Sequence, residues 1–215
     1  MFDFHCHSIF SDGELIPAEL LRRVQVLGYE AVAITDHADH SNIEFIVPRV
    51  LTAARALNQV SETKLLAGIE LTHVPPPMIP ELVMRARALG AEIVVVHGET
   101  LVEPVAPGTN LAAIKAGADI LAHPGLISEE EVKLAAKKGV FLELSGRRGH
   151  CLSNGHVALL AKRYQAPLII NSDGHAPGDF MTKEFAFNVG LGAGLETKEV
   201  EALYQRVRER FLKHP

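Results

Sequence analysis

Histidines and carboxylates recur at the ends of apolar runs along this chain. The runs read Phe2-Asp3-Phe4-His5-Cys6-His7, Ala33-Ile34-Thr35-Asp36-His37, Ala67-Gly68-Ile69-Glu70, Val94-Val95-Val96-His97, Ile120-Leu121-Ala122-His123 and Ile169-Ile170-Asn171-Ser172-Asp173-Gly174-His175. Imidazole nitrogen and carboxylate oxygen are ligands for borderline-hard transition metals. In extended chain alternate residues share a side, so the rings of His5 and His7 face one way and Cys6 the other. Asp173 and His175 repeat that spacing. Asp12, in the loop Ser11-Asp12-Gly13, is either a ligand or a turn former. Asp36 points away from His37 and is read as orienting a neighbour. Glu70 ends an apolar strand, where a lone carboxylate is costly unless paired, and cations would pair it. The candidate ligands are therefore His5, His7, Asp12, His37, Glu70, His97, His123, Asp173 and His175. A catalytic metal takes about three or four protein ligands. This set suits two or three divalent transition-metal ions, with a carboxylate bridging.

Short apolar runs predict the strands that carry these groups: Phe2–His5, Ala31–Thr35, Leu65–Leu71, Glu92–His97, Asp119–His123, Val140–Leu144 and Pro167–Asn171. Apolar residues at helical spacing predict helices over Pro17–Leu27, Ile43–Val60, Ile79–Leu89, Asn110–Ala116, Ser128–Lys138, Ser153–Tyr164 and Thr197–Leu212. Pro17 suits a helix start, and Gly28, Gly90, Gly117 and Gly139 suit helix ends. Ser128 and Glu131 form a capping box, and Thr197 is expected to cap the last helix. Pro48 is expected to kink or divide its helix. Strands apolar on both faces and separated by helices imply a parallel sheet covered by helices. Seven such units fit a closed barrel about one unit short of the usual eight. An open doubly wound sheet would spread the strand ends along a line too long for one cluster, whereas a barrel gathers them on one face. No linker divides residues 1–215, so a single domain is expected.

With 215 residues, 47% hydrophobic and 22% charged, the chain can bury a core without disulfides. It has only Cys6 and Cys151, no signal peptide and no apolar stretch of membrane-spanning length. A cytoplasmic location, free thiols and no membrane partner are expected. The net charge of −5 argues against binding long nucleic acid, which needs a basic face. A small anionic substrate stays open, because bound cations invert the local field. Nothing in the sequence points to an oligomeric state.

Taken together, H-x-H-S and S-D-G, then T-D-H, G-I-E, V-H-G, A-H-P and S-D-G-H, resemble the successive motifs of the PHP (polymerase and histidinol phosphatase) family, from Asp3 to His175. The resemblance implies an α/β fold, a distorted (β/α)7 TIM-like barrel, with a trinuclear site of zinc, manganese or iron at the strand C-termini. It implies that His5, His7, Glu70 and Asp173 hold one ion, and Glu70, His97 and His123 a second. Asp12, His37 and His175 would hold a third, the family having either His or Asp at the position of Asp12. Members are mostly phosphoesterases, among them histidinol-phosphate phosphatases, nucleotide-directed phosphatases, exonucleases and proofreading domains.

The expected activity is hydrolysis of a small phosphomonoester, in the manner of a histidinol-phosphate phosphatase, by attack of a water that the cations activate. Asp12, His37 and Glu70 are the expected catalytic residues, with Asp12 or a cluster histidine protonating the leaving alkoxide. Arg147 and Arg148 follow the one strand without an obvious ligand. They suit phosphate oxygens, or they are solvated surface side chains. His73 and His156 are further expected substrate contacts, and Asn154 shares with His156 a helix start where an anion can rest. Glu99 and Glu143 are read as supports for ligands, with Glu143 alternatively satisfied by a helix terminus. His40 reads as a surface residue and His214 as an idle tail. The competing readings are a nuclease or nucleotide phosphodiesterase on the same site, a metal-dependent C–N or ester hydrolase, and a non-catalytic metal-binding regulatory module.

Overall fold

Strands and helices alternate as the periodicity requires in a computed structural model that describes residues 1–212. The strands are β1 (Phe2–Asp3), β2 (Ala31–Ile34), β3 (His37–Ala38), β4 (Lys64–Leu71), β5 (Ile93–His97), β6 (Ile120–Ala122), β7 (Phe141–Ser145) and β8 (Leu168–Asn171). The helices are α1 (Pro17–Val26), α2 (Ile43–Leu57), α3 (Ile79–Ala88), α4 (Thr109–Ala116), α5 (Glu129–Lys138), α6 (Asn154–Tyr164), α7 (Lys183–Gly192) and α8 (Thr197–Phe211). His214 lies outside the described residues. The strands pair in parallel in the order β1-β2-β4-β5-β6-β7-β8, with β3 pairing β4 beyond the end of β2. β2 and β3 keep one register against β4: Ile34 stands opposite Ala67, and His37 opposite Glu70. The path is a nearly closed, seven-stranded α/β barrel of the TIM-like kind.

β1 is shorter than the expected Phe2–His5. The backbone N–H of Phe4 donates to the Asn171 side chain (2.9 Å) rather than to a neighbouring strand. Past that point Cys6 bridges Gly174, His7 N donates to Gly174 O (2.8 Å), and Gly174 N donates to His5 O (3.3 Å). The chain's first and last strands therefore join just above the sheet, at the end where the candidate ligands lie.

Four helical expectations are corrected. α2 runs unbroken through Pro48. Proline there forfeits one bond in the helical ladder, but Ile43, Ile46, Val47, Val50 and Ala54 bury a continuous face against the sheet and hold the helix together. α2 stops at Leu57, short of Val60, because the Asn58 side chain exchanges two 2.8 Å bonds with the Leu65 backbone of β4. The sequence predicts no helix over 183–192, yet α7 forms there, its first turn capped by Thr182 Oγ1 accepting from Phe185 N (3.1 Å). Gly190 weakens that helix locally, but a Cβ at this position would lie 2.7 Å from Val200 of α8. Close packing, not propensity, sets the residue. Thr197 is not the cap of α8: Glu196 precedes the helix, and its N–H donates to the Glu199 carboxylate (2.8 Å). The α5 capping box forms as predicted, with Gly139 left-handed at its end.

The β4 strand is the spine of the core, with Leu65, Ala67, Ile69 and Leu71 fully buried. Ile69→Ala is expected to cost about 2–5 kcal/mol through lost burial and the cavity left behind. That lowers the thermal midpoint by roughly 5–15 °C for a chain of this size, which calorimetry on the metal-stripped protein reads directly. Cys6 is buried, Cys151 is exposed, and both are free. No helix among the described residues is long and apolar enough to cross a membrane.

Candidate metal centre

The strand C-termini deliver the candidate ligands to one mouth of the barrel. His5 and His7 come just past β1, His37 opens β3, and Glu70 lies on β4 directly opposite it. His97 ends β5, His123 follows β6, and Asp173 and His175 follow β8. Asp12 is brought in by a loop. Asp36 pins that loop by accepting from Ser8 N, Ser8 Oγ and Ser11 Oγ, each at 2.7 Å. Gly13 packs so tightly that a Cβ would lie 2.3 Å from the His7 carbonyl oxygen. The loop thus folds back and sets Asp12 Oδ1 3.4 Å from His37 Nε2 and 3.2 Å from His175 Nε2.

All nine expected ligands come together, in overlapping sets whose ligand atoms lie within 4.8 Å of one another. The sets are His5, His7 and Glu70; Glu70, His97 and His123; His5, His123 and Asp173; and His7, Asp12, His37 and His175. Glu70 belongs to two sets, as a bridging carboxylate must. His7 joins the outer set with Asp12 as well as the inner one. His123 (φ 26°) and Asp173 (φ 54°) sit in the left-handed region, strained backbone of the kind that gathers at functional sites.

The buried atoms fit a cation better than they fit each other. His5 Nε2, both nitrogens of His7, Glu70 Oε1, His123 Nδ1 and Asp173 Oδ1 are buried without a hydrogen-bond partner, a costly state for a folded chain. Yet His5 Nε2 is 3.1 Å from Glu70 Oε1, and His7 Nε2 is 3.3 Å from Asp173 Oδ1. They are near without being aligned as donor and acceptor. Two atoms bound about 2.1 Å from one tetrahedral ion stand about 3.4 Å apart, so these pairs are spaced as co-ligands aimed at a common point. A divalent transition metal is the group this donor set accommodates.

Glu143 settles the alternative left open for it. Its Oε1 faces His5 Nδ1 (2.8 Å) and accepts from Asn171 Nδ2 (2.8 Å), while Oε2 accepts from His123 N (3.0 Å). It braces the candidate ligands His5 and His123 and touches no helix terminus among the described residues. With Nδ1 committed to Glu143, His5 presents Nε2 to the cluster.

Electrostatics prepare the set. Burial, then the neighbouring imidazoles His37 and His5, hold His7 well below its ordinary value. Burial, then His97 and His150, do the same for His123. Both rings are thus neutral and ready to ligate. Burial pushes Asp173 up to about 7 despite His5 beside it, with Glu70 and Glu143 adding to the rise. Partial burial alone would raise Asp12, but His175 and His37 outweigh it and hold the carboxyl at about 2.

The remaining candidates divide. Arg147 Nη1 lies 2.7 Å from His175 Nδ1 and donates to the Asp173 carbonyl (2.9 Å), at the rim of the mouth. Arg148 is exposed, without a hydrogen bond or ion pair to the cluster among the described residues. His73 is at the mouth, 3.0 Å from Glu103. His156 is not brought to the cluster: its Nε2 is 2.7 Å from the Ile127 carbonyl. Asn154 is spent on Ser145, to which it both donates (2.9 Å) and from which it accepts (3.1 Å). Glu99 braces the loop after β5 through Gly108 N (3.0 Å) and Asn110 N (2.9 Å), and is not a ligand support. His40 is exposed. Sequence reasoning missed Glu103, on which His73, His97 and His150 converge. A cleft of about 460 Å³ at the opposite end, lined by Ala161, Leu168, Leu203 and Arg206 among others, borders none of the candidate ligands.

Comparison with known proteins agrees with this arrangement. An uncharacterized protein of Methanocaldococcus jannaschii is 49% identical over 99% of this chain and 98% of its own length. Ribonuclease P protein component 3 of Methanosarcina barkeri is 26% identical over 98% of this chain and 88% of its own. Among solved structures, a candidate histidinol phosphatase of Listeria monocytogenes superposes with a TM-score of 0.61 at 13% identity, covering 85% of this chain and 98% of that one. The Aspergillus niger ochratoxinase superposes with a TM-score of 0.67 at 13% identity, over 94% of this chain and 69% of that one. These two likenesses concern the fold. The profile of the PHP domain matches residues 3–172, a span that carries every candidate ligand except Asp173 and His175, and the chain belongs to the PHP domain family.

Proposed function

We propose that this chain is a metal-dependent phosphoesterase whose substrate is a small phosphomonoester. The observation that carries the reading is the convergence of nine imidazoles and carboxylates, several with unpartnered buried atoms, beside a single arginine fork at the mouth. Bound cations would acidify a water and offset phosphate charge. His5, His7, Glu70, His97, His123 and Asp173 would hold the inner ions, and Asp12, His37 and His175 an outer one. Arg147 stands where a phosphate oxygen would leave the cluster, and its planar donors suit that oxygen. Asp12, ionised down to about pH 2, accepts protons poorly and has none to donate near neutrality. The proton for the leaving alkoxide therefore comes from a group that is not holding a cation.

The likeness to a ribonuclease P component favours one second reading, a phosphodiesterase on the same residues. The net charge of −5 weighs against a long nucleic-acid substrate. An aryl phosphate and a bis-aryl phosphodiester, each with Mn²⁺, separate the two. Monoester turnover at least about tenfold above diester turnover, a gap of about 1.4 kcal/mol in barrier, is the expected result. Diester turnover alone transfers the site to the second reading. Turnover of neither, with metal bound, removes both.

A further inference from the structure

Glu103 stands outside the nine expected ligands, in the loop between β5 and α4, and three imidazoles point at it. His73 Nε2 lies 3.0 Å and His97 Nε2 3.1 Å from its Oε2, and His150 Nε2 3.4 Å from its Oε1. The ligand atoms of His73, His97 and Glu103 lie within 4.8 Å of one another. Without a cation His73 and Glu103 hydrogen-bond each other, and the same spacings suit co-ligands of one ion, whose ligand atoms stand about 3.4 Å apart. The local backbone supports the arrangement. Glu99 and Asn110 fix the root of the loop. Thr100 Oγ1 holds His150 Nδ1 (2.8 Å), and His73 sits at φ 52°, a left-handed turn.

His97 belongs to this set and also to the buried set with Glu70 and His123. Its Nδ1 lies 3.2 Å from the Gly98 carbonyl, which leaves Nε2 for both. One nitrogen bonds one cation at a time, so the two positions are alternative seats for the same ion. The inner seat is walled in, with Glu70 0% and His123 1% exposed. The outer seat is open, with the His73 and Glu103 side chains 40% and 37% exposed. Moving between them exchanges one imidazole and one carboxylate for another imidazole and carboxylate. Charge and ligand type stay constant while His97 remains bonded.

We propose that His73, His97 and Glu103 form a rim seat for a divalent transition cation, through which the buried Glu70–His97–His123 seat is loaded. The proposal needs the cluster to bind cations and is independent of the reaction the protein catalyses. The test mixes Co²⁺ with the metal-stripped full chain and follows its visible absorption by stopped flow, with total bound cobalt measured by equilibrium dialysis. Glu103→Gln and His73→Gln are each expected to slow one loading phase by about tenfold or more, with bound cobalt at equilibrium and the thermal midpoint of the loaded protein unchanged. His73→Gln removes an imidazole but no negative charge, so it separates ligation from long-range attraction. Wild-type loading rates in both variants overturn the proposal. So does a lower equilibrium stoichiometry, which makes Glu103 a permanent ligand. A chain that takes up no cobalt overturns it together with the cluster. Absence of phosphoester turnover leaves the loading rates as expected, so the two proposals fail separately.

Discussion

Adding Mn²⁺ or Zn²⁺ to the metal-stripped protein at about a thousand times the dissociation constant is expected to raise the unfolding midpoint by roughly 8–16 °C. A ligand that binds only the folded state stabilises by about 4 kcal/mol per site at that excess, and each kcal/mol is worth about 2–4 °C in a chain of this length. The physical source is the set of buried, unpartnered atoms on His5, His7, Glu70, His123 and Asp173. Folding brings them together at a cost that only a cation removes. The unfolded chain, with its ligands far apart in sequence, has no such set to offer. Protons compete for the same imidazoles, first at His5 and His37, where burial is outweighed by nearby carboxylates and the ring is raised above its ordinary value, and only at lower pH at His7 and His123, which burial lowers, so the gain shrinks in steps as pH falls. Scanning calorimetry with and without a chelator measures the shift. An unchanged midpoint, with dialysis finding no bound metal, would remove the basis for the functional reading.

Glu143→Gln is expected to weaken one bound cation by about 10–100-fold, the usual cost of losing the partner that orients a metal-binding histidine. The carboxylate faces His5 Nδ1 and accepts from Asn171 Nδ2 and His123 N. An amide in its place turns one acceptor into a donor, set against both His5 and Asn171 if it takes the place of Oε1 and against His123 N if it takes the place of Oε2. Either the ring of His5 loses the contact that commits Nδ1 and frees Nε2, or the backbone that carries His123 is pushed away. Competition against a chelating dye resolves the affected equivalent from the others. Full affinity in a variant that unfolds at the wild-type midpoint would show that His5 is oriented by packing alone.

The candidate ligands other than Asp12 were legible because each sits at a repeated place, the end of an apolar strand, and because glycine, proline and capping residues mark where strands and helices change over. Asp36 was readable as a support because alternation aimed it away from His37, and it holds the Asp12 loop. Glu143 was visible as a lone carboxylate in an apolar strand, but its partners come from just past β1, from β8 and from the residue after β6, which no local pattern reports. Glu103 gave no signal at all. It lies in an irregular loop, without periodicity, and only the closed ring brings His73 and His150 to it. α7 was hidden because its Gly190 answers to α8 and β8 rather than to helix propensity. His156 and Asn154 looked free at a helix start, but internal carbonyl and amide groups had claimed them.

The seam between Cys6 and Gly174 has a bearing on how the protein folds. His5 and His7 are separated from Asp173 and His175 by a long stretch of chain, and the seam that unites them depends on pairing across that separation, a slow kind of contact to form. A chain in which the seam has not closed therefore displays histidines without a cage. Ion capture then marks a late event in folding, granted only when β1 and β8 have met.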